Sequence, residues 1–315
     1  MRKESSGYLS LPDRGKGRNQ LFYRIFEPEK PAKGSLLLLH GMQEHSGRYE
    51  EVARFFAHAG YAVLLYDHRG HGKTARSEEE LGFFQKKQPV ARLVEDAEYM
   101  ARYLQKLYPE GNHFVLGHSM GSFVLRLLLR KNYSLFSGAI LVGTGGKSPM
   151  ISSGKLLLTM LNAWNPRRRS KLLNEGFLRM NNRRFLRESG GDGTSWLSLD
   201  KKNRKEFAED TYNGVPFTYN GFYTVVSLVD RAAKKTWADS ISRSFPLLFI
   251  SGAEDPIGNF GKDILRIVDD LHKKGFTAVH SKLYADRRHE ILKEDIREEV
   301  FMDILNWMQE NVSKE

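Results

Sequence analysis

The sequence predicts an α/β fold: a mostly parallel central sheet flanked by helices, carrying an inserted helical cap. Three observations predict it. Short apolar β-type runs alternate with longer amphipathic stretches, the rhythm of successive strand–helix–strand units. That rhythm stops near Gly143 and resumes near Ala238. Between them the chain is rich in Arg, Asn, Gly and aromatic residues, with no clear strand. Residues 1–144 and 238–315 are therefore expected to form one core, with 145–237 as a cap (lid) inserted into it.

The elements follow in order. Residues 21–26 read as an early strand and 35–39 as a buried one, because the second is an unbroken apolar run. Residues 50–59 form a helix that Gly60 stops, and 61–66 the next strand. Residues 90–107 carry the apolar spacing of a long amphipathic helix that ends before Pro109. A short strand at 113–116, a helix at 122–131 and a strand at 138–142 complete the first half. Beyond the cap come a strand at 246–250, a helix at 261–274, a strand at 278–283 and a terminal helix at 290–309.

Composition narrows the function classes. A chain of 315 residues suits one large domain carrying an insertion. No apolar run approaches the ~20 residues that span a bilayer. The first twenty residues are polar and lack the apolar stretch of a signal peptide. With no cysteine, disulfides, thiolate nucleophiles and thiolate metal sites are all excluded, and a cytoplasmic location is the default expectation. The net charge of +11 is uneven. Lys155, Arg167, Arg168, Arg169, Lys171, Arg179, Arg183, Arg184 and Arg187 face only Glu175 and Glu188. Such a run is either a solvated helix face or a surface for an anionic membrane or substrate; nucleic acid is not expected.

The chemistry starts at Gly117-His118-Ser119-Met120-Gly121, a G-x-S-x-G sequence between a strand and a helix. A glycine-rich chain produces such pentapeptides by chance, so the strand–turn–helix context is what gives it weight. A serine hydroxyl needs a base to take its proton, and the base needs a third group to orient it. On this kind of turn the partners follow in the order Ser, acid, His. Asp255 lies in the loop after the 246–250 strand, and His289 follows the last strand. Glu254 and Asp286 are the rival acids. The oxyanion of a tetrahedral intermediate needs backbone N–H donors, and Met120 and Met42 occupy the residue after the nucleophile and the loop after the 35–39 strand. The loop Asp67-His68-Arg69-Gly70-His71-Gly72 could be read as a metal cluster, but no further histidine stands at ligand spacing; it is expected to shape the rim beside the oxyanion loop. No metal or organic cofactor is expected.

The stretches His40-Gly41-Met42-Gln43-Glu44-His45-Ser46-Gly47-Arg48-Tyr49, Asp67 to Gly72, Gly117 to Gly121, Gly252 to Pro256 and Arg288-His289-Glu290 resemble the monoacylglycerol lipase and lysophospholipase group of α/β-hydrolases. The resemblance implies the α/β-hydrolase fold, a triad of Ser119, Asp255 and His289, an oxyanion hole of Met42 and Met120, and a single-chain acyl ester as substrate. Three positions depart from the group: Gln43 and Ser122, where Gly is common, and Ala285, also a frequent Gly. The expected function is a serine carboxylic-ester hydrolase. The alternatives are another esterase or an aminopeptidase on the same fold, or a noncatalytic lipid-binding module. In the cap, Leu156, Leu157, Met160, Leu161 and Trp164 fall on one helical face, which reads as core packing, an acyl channel or a membrane-resting surface. The neighbouring basic run favours the interfacial reading. Leu157, Met160, Trp164, Phe217 and Phe222 are the candidate pocket residues.

Overall fold

The computed structural model describes residues 3–12, 19–146, 149–186, 188 and 193–311; Arg187 of the basic run lies outside them. Strands β1 (Lys3–Ser10), β2 (Gln20–Glu27), β3 (Gly34–Leu39), β4 (Ala62–Tyr66), β5 (Asn112–His118), β6 (Gly138–Val142), β7 (Leu247–Gly252) and β8 (Val279–Tyr284) form one sheet. Its order is β1-β2-β4-β3-β5-β6-β7-β8. β2 pairs antiparallel with β1 and β4, and every later pair is parallel. This is the α/β-hydrolase core that the sequence led us to expect.

The parallel strands are apolar throughout because both faces are covered. Alternate residues divide between two cores. Leu37, Leu39, Val115 and Leu141 point to the face covered by α2 (Pro89–Leu107), α3 (Met120–Asn132) and α8 (Lys262–Lys273). Leu36, Leu38, Phe114 and Ile140 point to the face covered by α1 (Glu50–His58) and α9 (Arg297–Glu310). β1 was not legible beforehand. Its residues alternate between exposed and half-buried, and it is held by backbone pairing along β2. The terminal helix begins later than expected: Ile291–Lys293 is a 3-10 turn, and α9 starts at Arg297. The Glu294 carboxylate accepts from the Leu199 and Asp200 N–H groups, which fixes this stretch as a loop against the insertion.

Between β6 and β7 lie α4 (Pro149–Trp164), α5 (Lys171–Asn182), α6 (Lys201–Glu209) and α7 (Tyr219–Ala232). α7 packs on the core: Leu228, Val229 and Ala232 are buried with residues of α2 and α3. α4 lies on α7. It buries Leu158 and half-buries Leu161, while Leu156, Leu157, Met160 and Trp164 stay exposed. The stripe expected on one face is thus mostly turned outward. Apolar residues surround this helix, so periodicity alone does not say which side packs.

Strand order reverses at β3, which has β4 on one side and β5 on the other. The crevice at such a switch opens at the strands' carboxyl ends, where the Gly41–Tyr49 loop and Ser119 lie.

Candidate active site

Ser119 occupies the sharp turn between β5 and α3 with φ 51° and ψ −118°. A non-glycine residue held there costs on the order of 1–3 kcal/mol and persists only where its surroundings enforce it. The surroundings do. The Ser119 N–H donates to the Val142 carbonyl at 2.9 Å, and the Ser122 hydroxyl donates to the Ser119 carbonyl at 2.6 Å. The flanking glycines are steric requirements: a Cβ on Gly117 would sit 2.6 Å from the Gly121 carbonyl oxygen, and one on Gly121 would overlap that of Leu39.

His289, after β8, places Nδ1 2.9 Å from Asp255 Oδ2. Asp255 is fully buried and its carboxylate is oriented twice more, by the Ser251 hydroxyl at 3.0 Å and the Ile257 N–H at 2.8 Å. The rival acids are elsewhere: Asp286 is exposed, and the half-buried Glu254 lies 3.7 Å from Arg288. Ser119 and His289 line one cavity. Gly41 passes so close that a Cβ on it would meet Ser119 Cβ at 3.1 Å, which brings the Met42 backbone alongside the nucleophile turn. Met120 opens α3, where the first N–H groups lack helical partners and the helix dipole is positive.

Below this surface lies a buried polar cluster. Glu44 Oε1 accepts from the Gly41 N–H at 2.5 Å and the Tyr49 hydroxyl at 2.6 Å. Arg48 Nη1 binds Glu44 Oε2 at 3.0 Å and also pairs with Glu290. Asn203 of α6 donates to Glu290 and accepts from Arg48. His118 directs Nδ1 to the Tyr49 oxygen (2.7 Å) and Glu44 (3.3 Å), and Nε2 to the His289 carbonyl (3.2 Å). Both nitrogens face acceptors, as in an imidazolium. Burial works against that charge, but the hydrogen bond and charge of Glu44 prevail and raise the His118 pKa. Burial likewise disfavours the Glu44 carboxylate, yet His118 and Arg48 hold it well below the usual range.

The His40, His68 and His71 rings pack together, with centroids 4.4–6.5 Å apart. Burial pushes His40 down to about 4 and His71 to about 3, so both are neutral. Their nitrogens serve the backbone: His71 Nε2 accepts from the Gln43 N–H at 3.3 Å, and His40 Nε2 from the His68 N–H at 2.9 Å. The loop braces the oxyanion loop, and no group of three or more metal-ligating side chains forms among the described residues.

Two cavities meet at Ser119, Met42 and Phe177. One, of about 700 Å³, is lined by His289 together with Gln43, Lys171, Asn174, Glu175 and Asn213. The other, of about 970 Å³, lacks His289; Met120, Phe123, Phe222, Val225, Val226 and Val229 line it together with Asn181, Arg183, Arg184, Asp263 and Arg266. Of the candidate pocket residues only Phe222 lines a cavity. Phe217 is buried behind it, packed on His71, Phe84 and Phe222 at 5.5–5.9 Å. Leu157, Met160 and Trp164 stand on the outer face of α4 because α7 takes the side bearing Leu158.

The sequence profile described as serine aminopeptidase, S33, matches residues 30–296. This chain belongs to that family. Within the S33 family and its fold, the chain is similar to the rat monoglyceride lipase, 26% identical across 97% of this chain and 92% of the relative. It is 24% identical to the monoacylglycerol lipase of Mycolicibacterium smegmatis, across 93% and 94% of the two chains. A carboxyl esterase from Bacillus coagulans, solved in complex with glycerol, superimposes with a TM-score of 0.87 at 28% identity, covering 97% of this chain and 98% of that one.

Sequence reasoning missed Trp196. Its ring lies 5.0 Å from that of His289 with 30° between the planes. No local pattern signals a contact across 93 positions. The Glu44–Arg48 pair, by contrast, stands at the i, i+4 spacing that a sequence does display.

Proposed function

We propose that this chain is a serine ester hydrolase that releases a fatty acid from a single-chain acyl lipid, a monoacylglycerol or a lysophospholipid, through an acyl-enzyme on Ser119. The observation that carries the reading is the place of Ser119 between two cavities, only one of which His289 lines. The leaving alcohol must depart on the side of the group that protonates it, which assigns the His289 cavity to the alcohol and the cavity walled by Met120, Phe123, Phe222 and Val225 to the acyl chain.

In this mechanism His289 Nε2 takes the Ser119 proton as Oγ attacks the ester carbonyl. The Met42 and Met120 N–H groups hold the oxyanion. Collapse of the tetrahedral species breaks the bond to the alcohol oxygen, which receives the proton from His289. A water, deprotonated by His289, then attacks the acyl-enzyme, and the fatty acid leaves as Ser119 recovers its proton. Asp255 fixes the imidazole tautomer and offsets the charge of the imidazolium. The names and whole-length coverage of the two lipase relatives support a lipid ester as substrate.

Residues 145–237 act in this reading as the cap, and its outer surface is the contact with an anionic membrane. Leu156, Leu157, Met160 and Trp164 are exposed on α4, and the Arg168 guanidinium lies 5.3 Å from the exposed Trp164 ring. Apolar and basic side chains on one face are how a peripheral helix rests on anionic lipid. No helix among the described residues is long and apolar enough to cross a membrane.

Labelling with a fluorophosphonate, followed by hydrolysis rates across monoacylglycerols, lysophospholipids, short p-nitrophenyl esters and aminoacyl amides, tests the reading. Ser119 is the expected adduct, and long-chain single-acyl esters the best substrates. Turnover confined to aminoacyl amides would replace the lipase reading with an aminopeptidase, and failure to label Ser119 would leave a noncatalytic module.

A further inference from the structure

We propose that Trp196, supplied by the segment inserted between β6 and β7, is a positioning residue for His289: its indole face holds the imidazole and stabilises the imidazolium that forms during turnover. The inference rests on the reading of Ser119 and His289 as nucleophile and base.

Two stretches of chain are zipped together at this point. The Arg288 guanidinium donates to the Ser195 carbonyl at 2.7 Å, and the Glu290 N–H donates to the Leu197 carbonyl at 2.8 Å. The residue between each pair is Trp196 on one side and His289 on the other. Their rings are tilted by 30°, with centroids 5.0 Å apart. Trp196 is 5% exposed; its backbone N–H donates to Asn182 Oδ1 at 3.1 Å, and the Phe177 ring meets the indole edge-on at 5.9 Å. The indole therefore has little freedom to leave the imidazole.

The electrostatics give this contact a role beyond packing. An indole face carries negative quadrupole and attracts a cation lying over it. His289 gains its positive charge only when it takes the Ser119 proton, so this attraction grows toward the transition state, which is what acceleration requires. The charged groups around the imidazole make the contribution necessary. Asp255 favours the imidazolium, but the His118 ring is only 4.8 Å away, and Glu44 draws it too toward its charged form. Glu44, Arg48 and Glu290 lie behind His118 and are largely engaged with it and with one another. Trp196 supplies stabilisation from a second ring, whereas Asp255 acts at Nδ1. Because it comes from the insertion, the catalytic base is complete only while residues 195–197 stay seated on the His289 loop.

Site-specific incorporation of mono-, di- and trifluorotryptophan at position 196 weakens the quadrupole stepwise and keeps the shape. With a short soluble ester as substrate, kcat is expected to fall progressively, by about tenfold across the series, while KM and Tm stay constant. The acid limb of the pH–rate profile should move to lower pH in the same order, because the imidazolium loses stabilisation. Trp196→Phe should retain most of the activity and Trp196→Leu should lose more. A flat fluorination series with an unmoved pH profile, in a protein whose Ser119→Ala variant is inactive, would overturn the role of Trp196 and leave the triad reading standing. Activity surviving in Ser119→Ala would instead remove the reading on which the inference rests.

Discussion

Glu44 and His118 form a buried ion pair one residue before Ser119, with Oε1 and Nδ1 3.3 Å apart and the Tyr49 hydroxyl bridging the same two atoms. The pair joins three loops. Glu44 holds the Gly41 N–H, His118 ends the strand that leads into Ser119, and its Nε2 reaches the His289 carbonyl.

This pair should give the fold a particular pH dependence. The His118 pKa is raised above its unfolded value of about 6.5, so its contribution is fully present below that pH and disappears as pH rises through the folded value. The Glu44 pKa is lowered, so its contribution is present above about 4.5 and disappears as pH falls through the depressed folded value. Urea unfolding should therefore show the largest gap between wild type and His118→Asn near pH 5–6, shrinking toward pH 9. Glu44→Gln should cost on the order of 3 kcal/mol near pH 6, since it leaves a buried charge without its partner. A gap that widens with pH would mean that His118 is neutral in the fold.

Ser119→Ala should fold and lose at least ~10⁴-fold in ester turnover, because a nucleophile and its base act as a unit. Asp255→Asn should cost about 10⁴-fold by turning the His289 tautomer. Asp286→Asn should be nearly silent, as that side chain is exposed and far from the imidazole in function. Steady-state kinetics on one soluble ester check all three, and a silent Asp255→Asn would return the acid role to a rival.

Gly121→Ala should be severe without touching chemistry. The new methyl group would overlap the Leu39 carbonyl oxygen, a contact between the start of α3 and the end of β3, backbone on both sides. Overpacking of this kind costs about 1–3 kcal/mol or more, which thermal unfolding reads directly. Gly154→Ala, at a position where a Cβ meets nothing within 4 Å, is the matched control and should be neutral or slightly stabilising.

The sheet was legible because its strands are unbroken apolar runs bounded by turn residues, and runs such as Leu36–Leu39 allow no other use. Ser119, Asp255 and His289 were legible as candidates because each falls at a strand's end, a position that local pattern reveals. β1 was not, since Lys3–Ser10 offers only half-buried side chains and owes its place to its neighbour's backbone. The packing side of α4 was not legible for a related reason. Leu156, Leu157, Leu158, Met160 and Leu161 surround the helix, and only the presence of α7 selects Leu158 as the inward residue. Trp196 depends on a contact that exists only once the insertion has folded back onto the core.

The outward face of α4 yields the prediction that separates membrane contact from packing. Reversing Arg167, Arg168 and Arg169 together would confuse the two. Arg169 donates to the Leu81 and Pro216 carbonyls and Arg167 to that of Glu79, so both help seat the insertion. Arg168 and Arg179 are better probes: both are exposed, and neither lines a cavity at Ser119. Arg168→Glu with Arg179→Glu changes the surface by four charges, and each basic residue near an anionic surface contributes about 1 kcal/mol. Binding to vesicles containing phosphatidylserine should collapse at low salt, with the difference from wild type fading as salt shortens the Debye length below about 8 Å. Leu157→Ser with Trp164→Ser removes apolar surface that is 51% and 67% exposed, so Tm should change little. That variant should lose binding to neutral and anionic vesicles alike, with no dependence on salt. Both variants should keep wild-type turnover of a short soluble ester, since the residues changed are remote from Ser119. Vesicle binding equal to wild type in both, measured by co-sedimentation at low salt, would make this face an ordinary solvated surface.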